Sequence, residues 1–195
     1  LNCETDFVAK NEDFIKFAEQ IAEIAIANNI KSVDELKAAQ MDGRTIEEQL
    51  MDQVGKIGEK LELGQFEYIE APSVFAYNHH GNRLATIMGL NKSDVNDIEQ
   101  AGKEVNMQIA AMNPIAIDKD GIPTDVIEHE IEIGKDQARQ EGKPEAMIEK
   151  IALGKLNKFY KENTLLNQEF VREGKISVKE YLARFDKELT VTAFR

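Results

Sequence analysis

The chain has 195 residues, 42% of them hydrophobic, which is enough to bury a core and to build one large or two small domains. A formal net charge of −12 opposes direct binding of nucleic acid, whose phosphates it would repel, and directs attention to a protein partner. Cys3 is the only cysteine, so an internal disulfide framework is excluded and a reducing cytoplasm is expected, while no apolar run approaches the roughly 18 residues of a membrane span.

Near the start, Thr5 and Asp6 are short polar residues of the kind that cap a helix. Phe14, Phe17, Ile21 and Ile24 then recur at steps of three and four, predicting one amphipathic helix over about 6–28. Phe7 falls at the edge of that helix, either as one more apolar residue packed beneath it or as a ring offered outward. Ser32-Val33-Asp34-Glu35 and Thr45-Ile46-Glu47-Glu48 both have capping-box spacing. They predict a short helix and then a longer one that carries Ile46, Leu50, Val54 and Ile57 and stops at Gly58. Segments 66–71, 74–79 and 83–90 are rich in β-branched and aromatic residues and read as strands, the last two joined by a turn at His80-Gly81-Asn82.

A weak internal echo sets Leu1-Asn2 with Thr5-Asp6 beside Leu90-Asn91 with Ser93-Asp94, each a strand end leading into a capped helix. Sixteen residues beyond Thr5 and Ser93 both helices repeat an Ile-Ala pair, Ile21-Ala22 and Ile109-Ala110. Val95 stands in the second copy where Phe7 stands in the first. Beyond Pro123, Thr124-Asp125 is expected to cap a helix to about Gln140, Gly142 to break it, and Pro144 to open a return helix through Tyr160. So short a link predicts an antiparallel hairpin sealed by Ile127, Ile131, Ile148, Ile151 and Leu156, with its charges outward as a solvated arm. The expected fold class is α+β: two related subdomains of small antiparallel sheet packed with helices, plus this protruding hairpin. The divisions are 1–72 for the first core subdomain, 73–113 with 163–195 for the second, and 114–162 for the hairpin.

Catalytic signatures are sparse. The chain has no GxxxxGK[ST] loop. His79-His80 and Glu128-His129-Glu130 are the only groups that resemble metal ligands, and neither has the H-E-x-x-H spacing of a helical zinc site. The carboxylates fall on predicted exposed faces. No catalytic residue, metal or cofactor is expected.

The string Asn2-Cys3-Glu4-Thr5-Asp6-Phe7-Val8-Ala9-Lys10-Asn11 resembles the signature of the translation elongation factor Ts family, the nucleotide exchange factors of elongation factor Tu. Further marks follow in order: Lys56-Ile57-Gly58-Glu59, Tyr77-Asn78-His79, Ile109-Ala110-Ala111-Met112-Asn113-Pro114, Glu141-Gly142-Lys143-Pro144, and the stretch from Leu165 to Val171. The resemblance spans almost the whole chain. It implies an exchange factor acting by binding, with elongation factor Tu as partner and the hairpin serving dimer formation or partner contact. A homodimer, or a two-plus-two assembly with the partner, fits that role.

By the same resemblance, Phe7 enters an apolar pocket between helices of the partner's nucleotide domain and disturbs its Mg²⁺ and phosphate sites. Asp6 caps and orients this wedge, and Val8 stands beside it. Ile57 and Gly58 match family positions at the same contact, with Gly58 permitting close backbone approach. His79 matches a family histidine near the interface, with His80 as the alternative register, and Val171 matches a position in a loop that reaches another part of the partner. Family members carry a small N-terminal helical domain before the position of Leu1 and continue past that of Arg195, so a core fragment is expected. Two other readings compete: an acidic α+β interaction or scaffolding module without exchange activity, and an enzyme resting on the histidines alone.

Overall fold

In a computed structural model describing residues 1–195, the helix predicted over 6–28 is two helices, α1 (Asp6–Ala9) and α2 (Glu12–Ala27). The break comes from Asn11, whose side-chain oxygen accepts the backbone N–H groups of Asp13 (2.9 Å) and Phe14 (3.2 Å) and starts a second helix one turn after the first. Continuous apolar spacing hid this, because α2 alone buries Phe14, Phe17 and Ile21.

α3 (Val33–Ala38) begins at Ser32, which accepts the Glu35 N–H. A hairpin of two-residue strands follows, β1 (Gln40–Met41) and β2 (Arg44–Thr45), around Asp42 and Gly43, both with positive φ. An Asp-Gly pair is the sequence mark of such a turn, and the strand reading passed over it. α4 (Ile46–Ile57) has the full capping box expected of Thr45 and Glu48, and it ends on Gly58 in the left-handed region at φ 77. Phe14, Phe17, Ile21, Leu36, Met41, Ile46, Leu50, Leu61 and Leu63 form the core of the first compact unit, which comprises Leu1–Tyr68, Asn78–Ala85 and Arg195.

The second unit comprises Ile69–Tyr77 and Thr86–Phe194. Its sheet has the order β3 (Ser73–Asn78), β4 (Ala85–Leu90), β5 (Val191–Phe194). β4 and β5 run antiparallel, with Met88 opposite Phe194 and an irregularity between Gly89 and Leu90. The strands predicted over 74–79 and 83–90 correspond to β3 and β4. The one predicted over 66–71 does not form: those residues join no ladder. Ile69 and Ala71 instead press their side chains against Gly89, where an added Cβ would lie 2.6 Å from the Ala71 Cβ. Their alternation serves packing, not pairing.

α5 (Ile98–Met112) starts later than the echo predicts. Asp97 occupies its N-cap at φ 56 and makes no side-chain cap bond, so Ser93-Asp94 does not repeat the capped start at Thr5-Asp6. Ile21 and Ile109 are nevertheless both buried, one in each core. α6 (Thr124–Gln140) and α7 (Glu145–Asn163) form the predicted hairpin. Pro123 and Pro144 hold the two N-cap positions, and Thr124-Asp125 lies inside the first turn without capping it. Between the helices, Gly134 comes so close that a Cβ there would lie 3.0 Å from the Ala152 Cα, and Ala138 and Ala152 are fully buried. Small residues thus set the helix separation, with Ile148 and Leu156 also buried. α8 (Val178–Leu182) starts with a second capping box, Ser177 with Glu180.

With helices beside two small antiparallel sheets, the fold is α+β as the sequence predicts. No helix is long and apolar enough to cross a membrane.

Candidate partner-binding site

A one-turn helix has too few internal hydrogen bonds to sustain itself. α1 is one turn, yet it carries Phe7 with 84% of its surface exposed, where Phe14 and Phe17 are below a tenth. Of the two readings of Phe7, packing beneath its own helix is therefore excluded. Burying such a ring is worth roughly 2–3 kcal/mol, so its exposure leaves a favourable interaction unmade.

Its neighbours are held in place. Thr5, not Asp6, caps α1, accepting the Val8 N–H at 3.4 Å. The Asp6 carboxylate pairs with the Lys10 ammonium at 2.7 Å, and that hydrogen bond holds the Asp6 carboxyl below its usual range. The acid therefore stays ionised one residue from the ring. Val8 and Ile57 are half-buried against the core of the first unit. At Gly58 nothing lies within 4 Å of where a Cβ would stand, so the positive φ is what the fold itself requires of this residue, and its outer face is open.

Two polar side chains join these pieces. Glu59, directly after Gly58, accepts hydrogen bonds from Glu4 and Thr5. Asn82, at φ 57 in the turn between β3 and β4, donates its side-chain amide to the carbonyl of Ala9 at 2.9 Å, the last residue of α1. The same turn carries His79, whose N–H bonds the Leu84 carbonyl and whose carbonyl accepts the Asn82 N–H. Asp6, Phe7, Val8, Ile57, Gly58 and His79 thus come from three segments that hydrogen bonds tie together within the first unit. Val171 belongs to the second unit. It is 57% exposed on the turn after buried Phe170, and its N–H donates to the buried Gln108 side chain at 2.9 Å.

Glu59, Asn82 and Gln108 were missed as supports for these residues. Asn in a Gly-Asn turn signals a left-handed backbone, but nothing in the sequence reveals that its amide reaches Ala9. No group of three or more His, Cys, Asp or Glu side chains is placed to hold a metal ion.

An aromatic ring left exposed on a tethered turn, one residue from an ionised carboxylate, is the kind of surface that can anchor a protein partner. Residues 4–195 match the family model for elongation factor TS. Over its whole length the chain is 50% identical to elongation factor Ts of Christiangramia forsetii, 49% to that of Amoebophilus asiaticus and 44% to that of Porphyromonas gingivalis, in each case spanning 70% of the relative. The chain belongs to the elongation factor Ts family, and this membership supports a role in nucleotide exchange with elongation factor Tu as partner.

Proposed function

We propose that this chain promotes GDP release from elongation factor Tu by inserting Phe7 into an apolar pocket of the partner's nucleotide domain, disturbing the Mg²⁺ and phosphate sites there. The observation that carries this reading is the 84% exposure of Phe7 on a turn fixed at both ends. A partner speeds release only if it binds the open arrangement better than the closed one, since equal affinity for both shifts nothing. A ring that finds its pocket only in the open arrangement supplies that difference.

The surrounding residues divide the work. Ionised Asp6 adds local negative charge unfavourable to the bound nucleotide phosphates. Ile57 and Val8 supply apolar contact around the ring, and the open face of Gly58 permits close backbone approach. His79 adds a contact from the neighbouring turn. Val171 provides a second, separate apolar contact to the same partner.

The test is the release rate of a fluorescent GDP analogue from bacterial elongation factor Tu, at saturating concentrations of this chain and of its Phe7→Ala variant. Strong acceleration by the wild type and loss of it in the variant is expected. Equal acceleration by both would remove Phe7 from the mechanism. Absence of acceleration alongside tight binding in a direct titration would favour a scaffolding role over exchange.

A further inference from the structure

What fixes the Phe7 turn is not α1 itself but a carboxylate 54 residues beyond Thr5. Glu59 Oε2 accepts the backbone N–H groups of Glu4 at 3.1 Å and Thr5 at 3.0 Å, while Oε1 accepts the Thr5 hydroxyl at 2.5 Å. That hydroxyl, which donates a hydrogen bond to Glu59, accepts the Val8 N–H. From Glu59 to the residue after Phe7 the connection is therefore a single oxygen atom long. Bonds in the other direction reinforce it: the Lys60 N–H donates to Glu4 at 3.3 Å, and Asn2 and Glu62 exchange both backbone hydrogen bonds, at 2.8 and 3.1 Å. Residues 2–5, before α1, are thereby laced to residues 59–62, beyond the end of α4.

We propose that Glu59 is a positioning residue for Phe7, holding the turn so that the ring is presented at a fixed angle next to Ile57 and Gly58. This rests on the reading of Phe7 as the wedge. An ionised acceptor suits the task, because its bonds to N–H and O–H donors are shorter and stronger than those of a neutral one. Its two oxygens serve three donors, which a neutral amide with one acceptor oxygen cannot do. Because Glu59 directly follows Gly58, its hydrogen bonds connect the end of α4 to the aromatic turn. A ring held in advance does not have to be ordered when the partner arrives.

The test uses the full chain as wild type, Glu59→Gln, Glu59→Ala, Phe7→Ala and the Phe7→Ala/Glu59→Ala double variant. Amide hydrogen exchange at residues 4–8 reports the restraint without any partner. Release of the fluorescent GDP analogue from elongation factor Tu gives both the maximal rate and the half-saturating concentration. Glu59→Ala is expected to speed amide exchange about tenfold or more and to lower the maximal release rate by roughly tenfold, with half-saturation changed less than about twofold. Glu59→Gln should fall between it and wild type, and it carries the comparison if the alanine variant melts early. In the double variant the alanine at position 59 should add nothing to the loss caused by Phe7→Ala.

Unchanged amide exchange, or wild-type release by both Glu59 variants while Phe7→Ala is defective, would overturn the positioning role and leave the wedge standing. A further loss in the double variant would show that Glu59 acts by some route other than Phe7. Wild-type release by Phe7→Ala would remove the wedge reading, and the proposal with it.

Discussion

The side chain of Gln108, 2% exposed on α5, accepts the backbone N–H of Val171 at 2.9 Å and so fixes an exposed residue from beneath. Its amide nitrogen donates to the Gln168 side chain (3.2 Å) and to the Glu169 carbonyl (3.1 Å), so one buried group serves three partners. Removing it leaves donors and acceptors unpaired in a protein interior. Gln108→Ala should destabilise the second unit by about 2–3 kcal/mol in denaturant unfolding and raise amide exchange at Val171 specifically.

Phe7→Ala should be nearly silent in the free chain. With 84% of the residue already in water, the expected change in unfolding free energy is within about 0.5 kcal/mol, read as an unchanged Tm. The same substitution at Phe14, only 7% exposed, should cost roughly 3–5 kcal/mol. Paired melts of the two variants separate an exposed ring from a core ring.

Acid should weaken the fold through its helix caps. In the folded chain the Glu48 carboxyl lies below its usual value of 4.5 because it accepts the Thr45 backbone N–H and then interacts with the Thr45 hydroxyl, and Ser177 does the same for Glu180. A carboxyl with a depressed folded pKa contributes stability that is fully present above the unfolded value and is lost as pH falls through the folded one. Tm should therefore hold from pH 8 down to about 5.5 and decline below about 4.5. Glu48→Gln with Glu180→Gln should lower Tm at neutral pH and flatten the acid decline.

Two helical glycines should respond oppositely to alanine. At Gly154 in α7 nothing lies within 4 Å of the added methyl, so Gly154→Ala should gain roughly 0.5–1 kcal/mol from helix propensity alone. At Gly102 in α5 the same methyl would stand 2.3 Å from two atoms of the Phe75 ring. Displacing a packed ring costs about 1–3 kcal/mol, which outweighs the propensity gain, so Gly102→Ala should lower Tm.

Exchange by binding carries a reciprocal consequence. Whatever factor the chain takes from the partner's GDP affinity, GDP must take from the partner's affinity for the chain. Titrations with nucleotide-free and GDP-loaded elongation factor Tu should give affinities for the chain in that same ratio. Equal affinities would leave the chain a ligand that does not promote exchange.

Elements with a local physical cause were legible in the sequence. Thr45 and Glu48 start α4, and Gly58 ends it, because capping and a left-handed stop are decided within a few residues. The α6–α7 hairpin was likewise visible from its prolines and Gly142. Residues whose state depends on distant partners were not. Spacing alone suggested that residues 66–71 pair as a strand, and only Gly89, about twenty residues on, explains why they pack instead. Phe7 and its neighbours were marked by resemblance, whereas Glu59, the group that holds them, shows its role only when the chain is folded.

β5 is drawn from residues 191–194, yet it pairs with β4 at residues 88–90. During synthesis the second unit therefore has no third strand for its sheet until a hundred further residues have been made, while nearly all of the first unit is already available. At roughly 5–20 residues per second, that interval lasts about 5–20 s. The aromatic turn can form while the β4 edge still waits for its partner strand, a window in which that edge is open to pairing with other nascent chains.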